Sequence, residues 1–351
     1  MQNQVGVIDT VPGSSSGAPV DLFLRIFAGS VVAATLLFIV NNVLTNWWGW
    51  PGPGTFLGQY GWFGFEAPDD PLSGANYVQA LLQILSYLGI VAVVTVYALL
   101  TRQRSLHADA DALSSFAAYI VRAAFWIVVI VGIVDMLISF LRVEGLLGTF
   151  ASEALVNDLG RSSYRGFYVH YPLMVLALVV AYFVRSVNFS WLALLVILAE
   201  AQIVLSRFVF SYEQAFMGDL VRFWYAALFL FASSHALIHE AHVRVDVLYV
   251  HFSKRGKAWS NALGSVLLGL PLCWVILGTG MAGKGSSINS PLLSFEISQS
   301  GFGMYVKYLM AGFLIVFALS MAIQFASYFL SNAATLRGEP DGEDEKPGTE
   351  V

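Results

Sequence analysis

Eight stretches of this chain are long and apolar enough to cross a bilayer, near residues 22–45, 77–101, 113–141, 168–186, 189–210, 215–239, 258–283 and 303–331. A hydrocarbon core about 30 Å thick takes about 20 apolar residues in helical form. Lipid offers no partner to backbone N–H and C=O groups, so each span must satisfy its own, as an α-helix does. The expected fold class is therefore all-α: a polytopic membrane bundle of about eight transmembrane helices. Composition agrees, with 57% hydrophobic and 12% charged residues, against about 25% charged in soluble domains. The net charge of −5, spread over loops and one tail, gives no nucleic-acid footprint. The single Cys273 excludes an intrachain disulfide and a cysteine-based zinc cluster.

Basic residues orient such a bundle, because cytoplasmic loops carry an excess of Lys and Arg. Arg102 and Arg104 follow the second span, Arg185 the fourth, and Arg244, Lys254, Arg255 and Lys257 the sixth. On the other side, 46–76 holds none and 284–302 only Lys284, although Arg142, Arg161 and Arg165 after the third span dissent. Both termini are expected in the cytoplasm. The loop "NWWGWPGPGTFLGQYGWFGFEAPDDP" has the aromatic density of an outer membrane interface. Segment 143–160 suits an amphipathic helix lying on that surface. The layout expected is a disordered tail at 1–20, a four-helix region at 21–187, a second four-helix domain at 188–332 and an acidic disordered tail at 333–351. The fourth and fifth spans, separated by "SVNF", should pair as an antiparallel hairpin.

Ionisable groups at membrane depth need partners. Glu200 and Arg207 on the fifth span, with Asp219 and Arg222 on the sixth, are expected to neutralise one another as a clamp. Asp135 has no basic residue one turn away in its own helix, so it should meet another helix or a second protein; a free-standing channel built on it is another reading. Among the histidines, His235 and His239 share a helix face, and His170 with His235 would suit a b-type haem. That defines an alternative, a haem- or metal-binding membrane anchor of a redox enzyme. "HEAH" is not the HExxH zinc motif, and imidazoles at a helix end are simply solvated, so no metal is expected.

"HVRVDVLY" (242–249), following "FASSHALIHEA", closely resembles the signature of the small permease subunit of TRAP transporters, the DctQ family. "LSRFVFSYEQAFMGDLVRFWYAALFLFASSHAL" resembles the family's first two helices, and "SKRGKAWSNALGSVLLGLPLCWVIL" its basic turn and third helix. "SFEISQSGFGMYVKYLMAGFLIVFALSMAIQ" is similar to the stretch leading into the last. The likeness covers about 189–332; the family usually has four helices, and here four more precede them. It implies a fixed inner-membrane scaffold, without cofactor or enzymatic role. Its partners would be a large permease subunit that moves the substrate and, transiently, a periplasmic binding protein, in sodium-driven uptake of an organic acid. His242, Arg244 and Asp246 would then lie at the subunit or lipid interface with Lys254 and Arg255. Asp135, Glu296 and Lys307 are further candidates for interhelix or partner contact.

Overall fold

The computed structural model describes residues 19–185, 190–238, 249–298 and 303–340. Among them eight helices are long and apolar enough to span a membrane. They are α1 (Pro19–Asn46), α2 (Gly74–Leu100), α3 (Leu106–Val143), α4 (Ser162–Phe183), α5 (Ser190–Phe210), α6 (Ala215–Ile238), α7 (Lys254–Gly280) and α8 (Lys307–Arg337). Each falls on an expected span. No strand occurs among the described residues.

Helix ends differ from the apolar stretches where polar groups cap them. α3 begins at Leu106 rather than 113, just before the polar run "HADADALSS". Ser105 Oγ accepts from Ala108 N at 3.1 Å, and the Glu339 carboxylate accepts from Leu106 N at 3.0 Å. Both satisfy N–H groups that a helix start leaves open. α8 runs on to Arg337, beyond the expected start of the tail at 333, and stops where Gly338 turns left-handed at φ 74°. Segment 143–160 forms two short helices, Leu147–Phe150 and Glu153–Leu159.

Two spanning helices contain a π turn, Gly166–His170 in α4 and Ser265–Gly269 in α7. Each turn is followed within two residues by a proline, Pro172 or Pro271. Proline donates no N–H and crowds the carbonyl one turn back, and an extra residue in that turn relieves the crowding.

α8 is the axis of the bundle, with half of its apolar stretch buried, packed on α1, α3, α6 and α7. The largest core lies among α3, α6 and α8, around Phe125, Val128, Phe216, Phe223, Phe231 and Phe313. A second joins α1, α3 and α8 through Ala28, Ala110, Ile323, Leu330 and Ala334, and the small alanines let the helices approach closely. Polar contacts close that end: Arg25 reaches Asp109 at 2.5 Å and the Thr101 carbonyl at 2.7 Å, and Arg337 reaches Asp21 at 2.7 Å. α2 and α5 are peripheral, packing chiefly on α1 and α6, with about a tenth of each apolar stretch buried.

The π turn of α7 lies flat on α8, where a Cβ at Gly269 would come within 2.7 Å of the Phe325 ring. Gly269→Val should therefore destabilise the protein by about 1–3 kcal/mol, the usual cost of overpacking. The thermal midpoint in detergent checks this, and an unshifted midpoint would show that the contact yields freely.

Candidate functional site

α3 carries one carboxylate deep in the stretch "VVIVGIVDMLISF", and Asp135 is fully buried there. A buried charge of this kind persists only when paired and hydrogen-bonded. Its partners come from α4. Arg165 Nη1 donates to Asp135 Oδ1 at 2.8 Å, and His170 Nε2 lies 3.1 Å from the same oxygen. Residues five apart stand about 140° apart around a regular α-helix of 3.6 residues per turn. The wider π turn between them, with its i→i+5 bonding, brings Arg165 and His170 to one side.

The second carboxylate oxygen, Oδ2, accepts from the backbone N–H of Tyr305 at 2.7 Å. Arg165 also donates to the Leu159 carbonyl at 2.7 Å and to Ser139 Oγ at 3.0 Å, while its Cζ stacks 4.2 Å from the Tyr305 ring centroid. His170 Nδ1 is 2.9 Å from the Tyr308 hydroxyl at the start of α8. Among the cluster's described side chains, only Arg165 Nη2 is buried without a hydrogen-bond partner. Asp135 accepts from Arg165, and the His170 tautomer that donates from Nε2 to Asp135 accepts at Nδ1 from Tyr308. Phe295 covers the cluster in a left-handed conformation (φ 50°), over a glycine whose Cβ would lie 2.1 Å from its ring, Gly166. Near the α3 end, Tyr212 donates to Glu144 Oε1 at 2.5 Å, and desolvation together with that carboxylate pushes the phenol up to about 12.

A second group of charges lines a cavity of about 300 Å³ formed by Asp219, Arg222, Ser298, Met304, Val306, Lys307 and Met310. Asp219 accepts from Ser298 Oγ at 2.9 Å and Met304 N at 3.1 Å, with Arg222 3.2 Å away. Lys307 pairs with Glu296 at 2.5 Å.

The expected clamp between α5 and α6 is thus split. Arg207 pairs with Glu213 in the turn at 3.6 Å, Asp219 turns inward to the segment before α8, and Glu200 faces outward from α5 without joining either. Asp135 meets another helix of its own chain. Arg165, read from sequence as a loop charge, is its counter-ion, and both nitrogens of His170 are engaged, which leaves neither for a haem iron. Lys254 and Arg255 are exposed at the start of α7. His239, His242, Arg244 and Asp246, and the side chain of His235, lie outside the described residues. Ser139, Tyr305 and Tyr308 had no warning in the sequence beyond their proximity to apolar runs.

Residues 192–334, from α5 to α8, match the family model described as "Tripartite ATP-independent periplasmic transporters, DctQ component". They are called the DctQ region, after the family model they match. DctQ is a transporter component rather than an enzyme family and belongs to the inner membrane. The eight apolar helices make this chain a multi-pass membrane protein, in which α1–α4 precede the DctQ region. No curated protein and no solved structure matches it. The Asp135 cluster therefore joins the added helices to the DctQ region, since Asp135, Arg165 and His170 precede that region and Tyr305 and Tyr308 belong to it.

Removing one member of a buried pair strands the other. Asp135→Ala should cost about 3–5 kcal/mol, and Arg165→Met should be similarly severe. The double variant Asp135→Leu, Arg165→Met should lose clearly less than the sum. Thermal unfolding of all the variants checks this, and additive losses would mean that the two side chains are not coupled.

Proposed function

We propose that this chain is the small scaffold subunit of a tripartite TRAP-type transporter. It holds a large permease subunit in place during sodium-driven uptake of an organic acid delivered by a periplasmic binding protein. The observation that carries the reading is the DctQ match over α5–α8. The Asp135 cluster is fully buried and bonded within its own chain, which suits a rigid frame better than an ion path.

The surface of the DctQ region supports a membrane partner. α5 rests on the chain through Leu192 and Ala199, while Ile197, Leu198, Val204, Leu205 and Phe208 face outward. Glu200 lies on that outward face, halfway along the helix and about 15 Å from either end at 1.5 Å per residue. No side chain among the described residues pairs with it. A carboxylate facing lipid at that depth is costly, so we assign this face to the large subunit, with a donor there to meet Glu200.

On the same reading both termini are cytoplasmic, and His242, Arg244 and Asp246 join Lys254 and Arg255 at a cytoplasmic subunit or lipid interface. α1–α4 widen the scaffold. The protein needs no cofactor.

Tagged protein extracted gently from its own host's membranes should carry a larger multi-pass subunit in stoichiometric amount. Glu200→Gln should retain that partner, and Glu200→Lys should lose at least nine tenths of it. A wild-type preparation without any larger membrane partner would contradict the proposed role; full retention by Glu200→Lys would move the interface to another face.

A further inference from the structure

Arg185 stands just beyond the end of α4, and Arg122 lies opposite on α3. With Ser115, Ala118, Tyr119 and Tyr182 they line a hollow of about 520 Å³. We infer that this hollow, at the seam between α3 and the end of α4, holds the phosphate head group of a membrane phospholipid.

The charges are set as a phosphate site requires. Seven of the twelve described arginines lie within ion-pair distance of a carboxylate. Arg122 and Arg185 do not; they share a concave surface with no acidic side chain in its lining. The Nε–H of Arg122 is buried and without a hydrogen-bond acceptor, and its guanidinium lies 5.9 Å from the Tyr119 ring centroid. An open donor on a half-buried guanidinium asks for an acceptor, and guanidinium groups bind phosphate through paired N–H donors. Ser115 and Tyr182, which carry hydroxyl donors, line the same hollow.

Position selects a lipid over a soluble phosphate. Arg185 closes one spanning helix and Ser190 opens the next, so the hollow stands at a membrane boundary, where basic pockets between helices take anionic head groups. From it an exposed stripe of Tyr182, Val179 and Val175 runs back along α4, spaced to lie on one face. That stripe offers a bed for an acyl chain.

The test is native mass spectrometry of the full-length protein titrated with phosphatidylglycerol, with glycerol 3-phosphate and diacylglycerol as separate probes. Arg185→Gln, an exposed substitution, should weaken the tightest lipid adduct about fivefold, and the Arg122→Gln, Arg185→Gln pair further. Thermal midpoints verify folding, and should the pair fail to fold, Arg185→Gln alone decides. Lipid affinity unchanged in folded Arg185→Gln would overturn the site. So would equal binding of diacylglycerol, which lacks the phosphate. Glycerol 3-phosphate bound as tightly as the lipid would replace the head group with a soluble phosphate ligand and refute the lipid assignment.

Discussion

One buried carboxylate sets terms for the rest of the bundle. Asp135 sits where lipid and protein interior alike penalise charge, so its pairing has to be complete. Completing it takes the guanidinium of Arg165 and the imidazole of His170, both from α4, and the backbone of Tyr305 from the segment before α8. The π turn of α4 then follows as a requirement of the pairing as well as a response to Pro172. Phe295 in its left-handed conformation follows too, because the cover over Gly166 leaves room for no Cβ. A buried ion pair is weak evidence for net stability, since apolar residues of similar volume often do as well. Its effect is on register: only one placement of α4 and of the α8 start satisfies it.

That placement gives α1–α4 a definite part in the molecule. α3 is not an appendage to the DctQ region; it packs along α6 and α8 and contributes Val121, Phe125, Val128 and Val131 to the principal core. At the other end, Glu339 caps α3 and Arg337 pairs with Asp21 of α1, so the last helix of the DctQ region is tied to the added helices at both of its ends. A frame closed in this way leaves α2 and α5 as the outward helices. Of these, α5 carries the mid-depth carboxylate and belongs to the DctQ region.

Length and hydropathy made the eight spans legible, because a bilayer demands uninterrupted apolar helices and the sequence supplies them one by one. The ends were less legible. The polar start of α3 is helical through Ser105 and Glu339, and no hydropathy window registers a cap from a residue 233 positions away. The DctQ likeness was readable from "HVRVDVLY" and its flanks, although most of that motif lies outside the described residues. The Asp135 cluster was only half readable: the isolated acid announced that a partner must exist. Arg165 was hidden because its neighbours "RSSYRGFY" read as a loop, and His170 because a histidine in an apolar run suggests a ligand as readily as a hydrogen-bonded core residue. The split of the expected clamp has the same origin. Asp219 found backbone and hydroxyl donors in the segment before α8 closer at hand than Arg207.

The DctQ region and the helices before it share one core, locked by the Asp135 cluster. The most direct measurement is expression of residues 190–351 alone, compared with the full chain by size exclusion and thermal unfolding in the same detergent. The account predicts that the fragment, deprived of α3 against α6 and α8, fails to give a monodisperse, cooperatively unfolding species. A fragment that purifies as a monodisperse species with the full chain's thermal midpoint would contradict it.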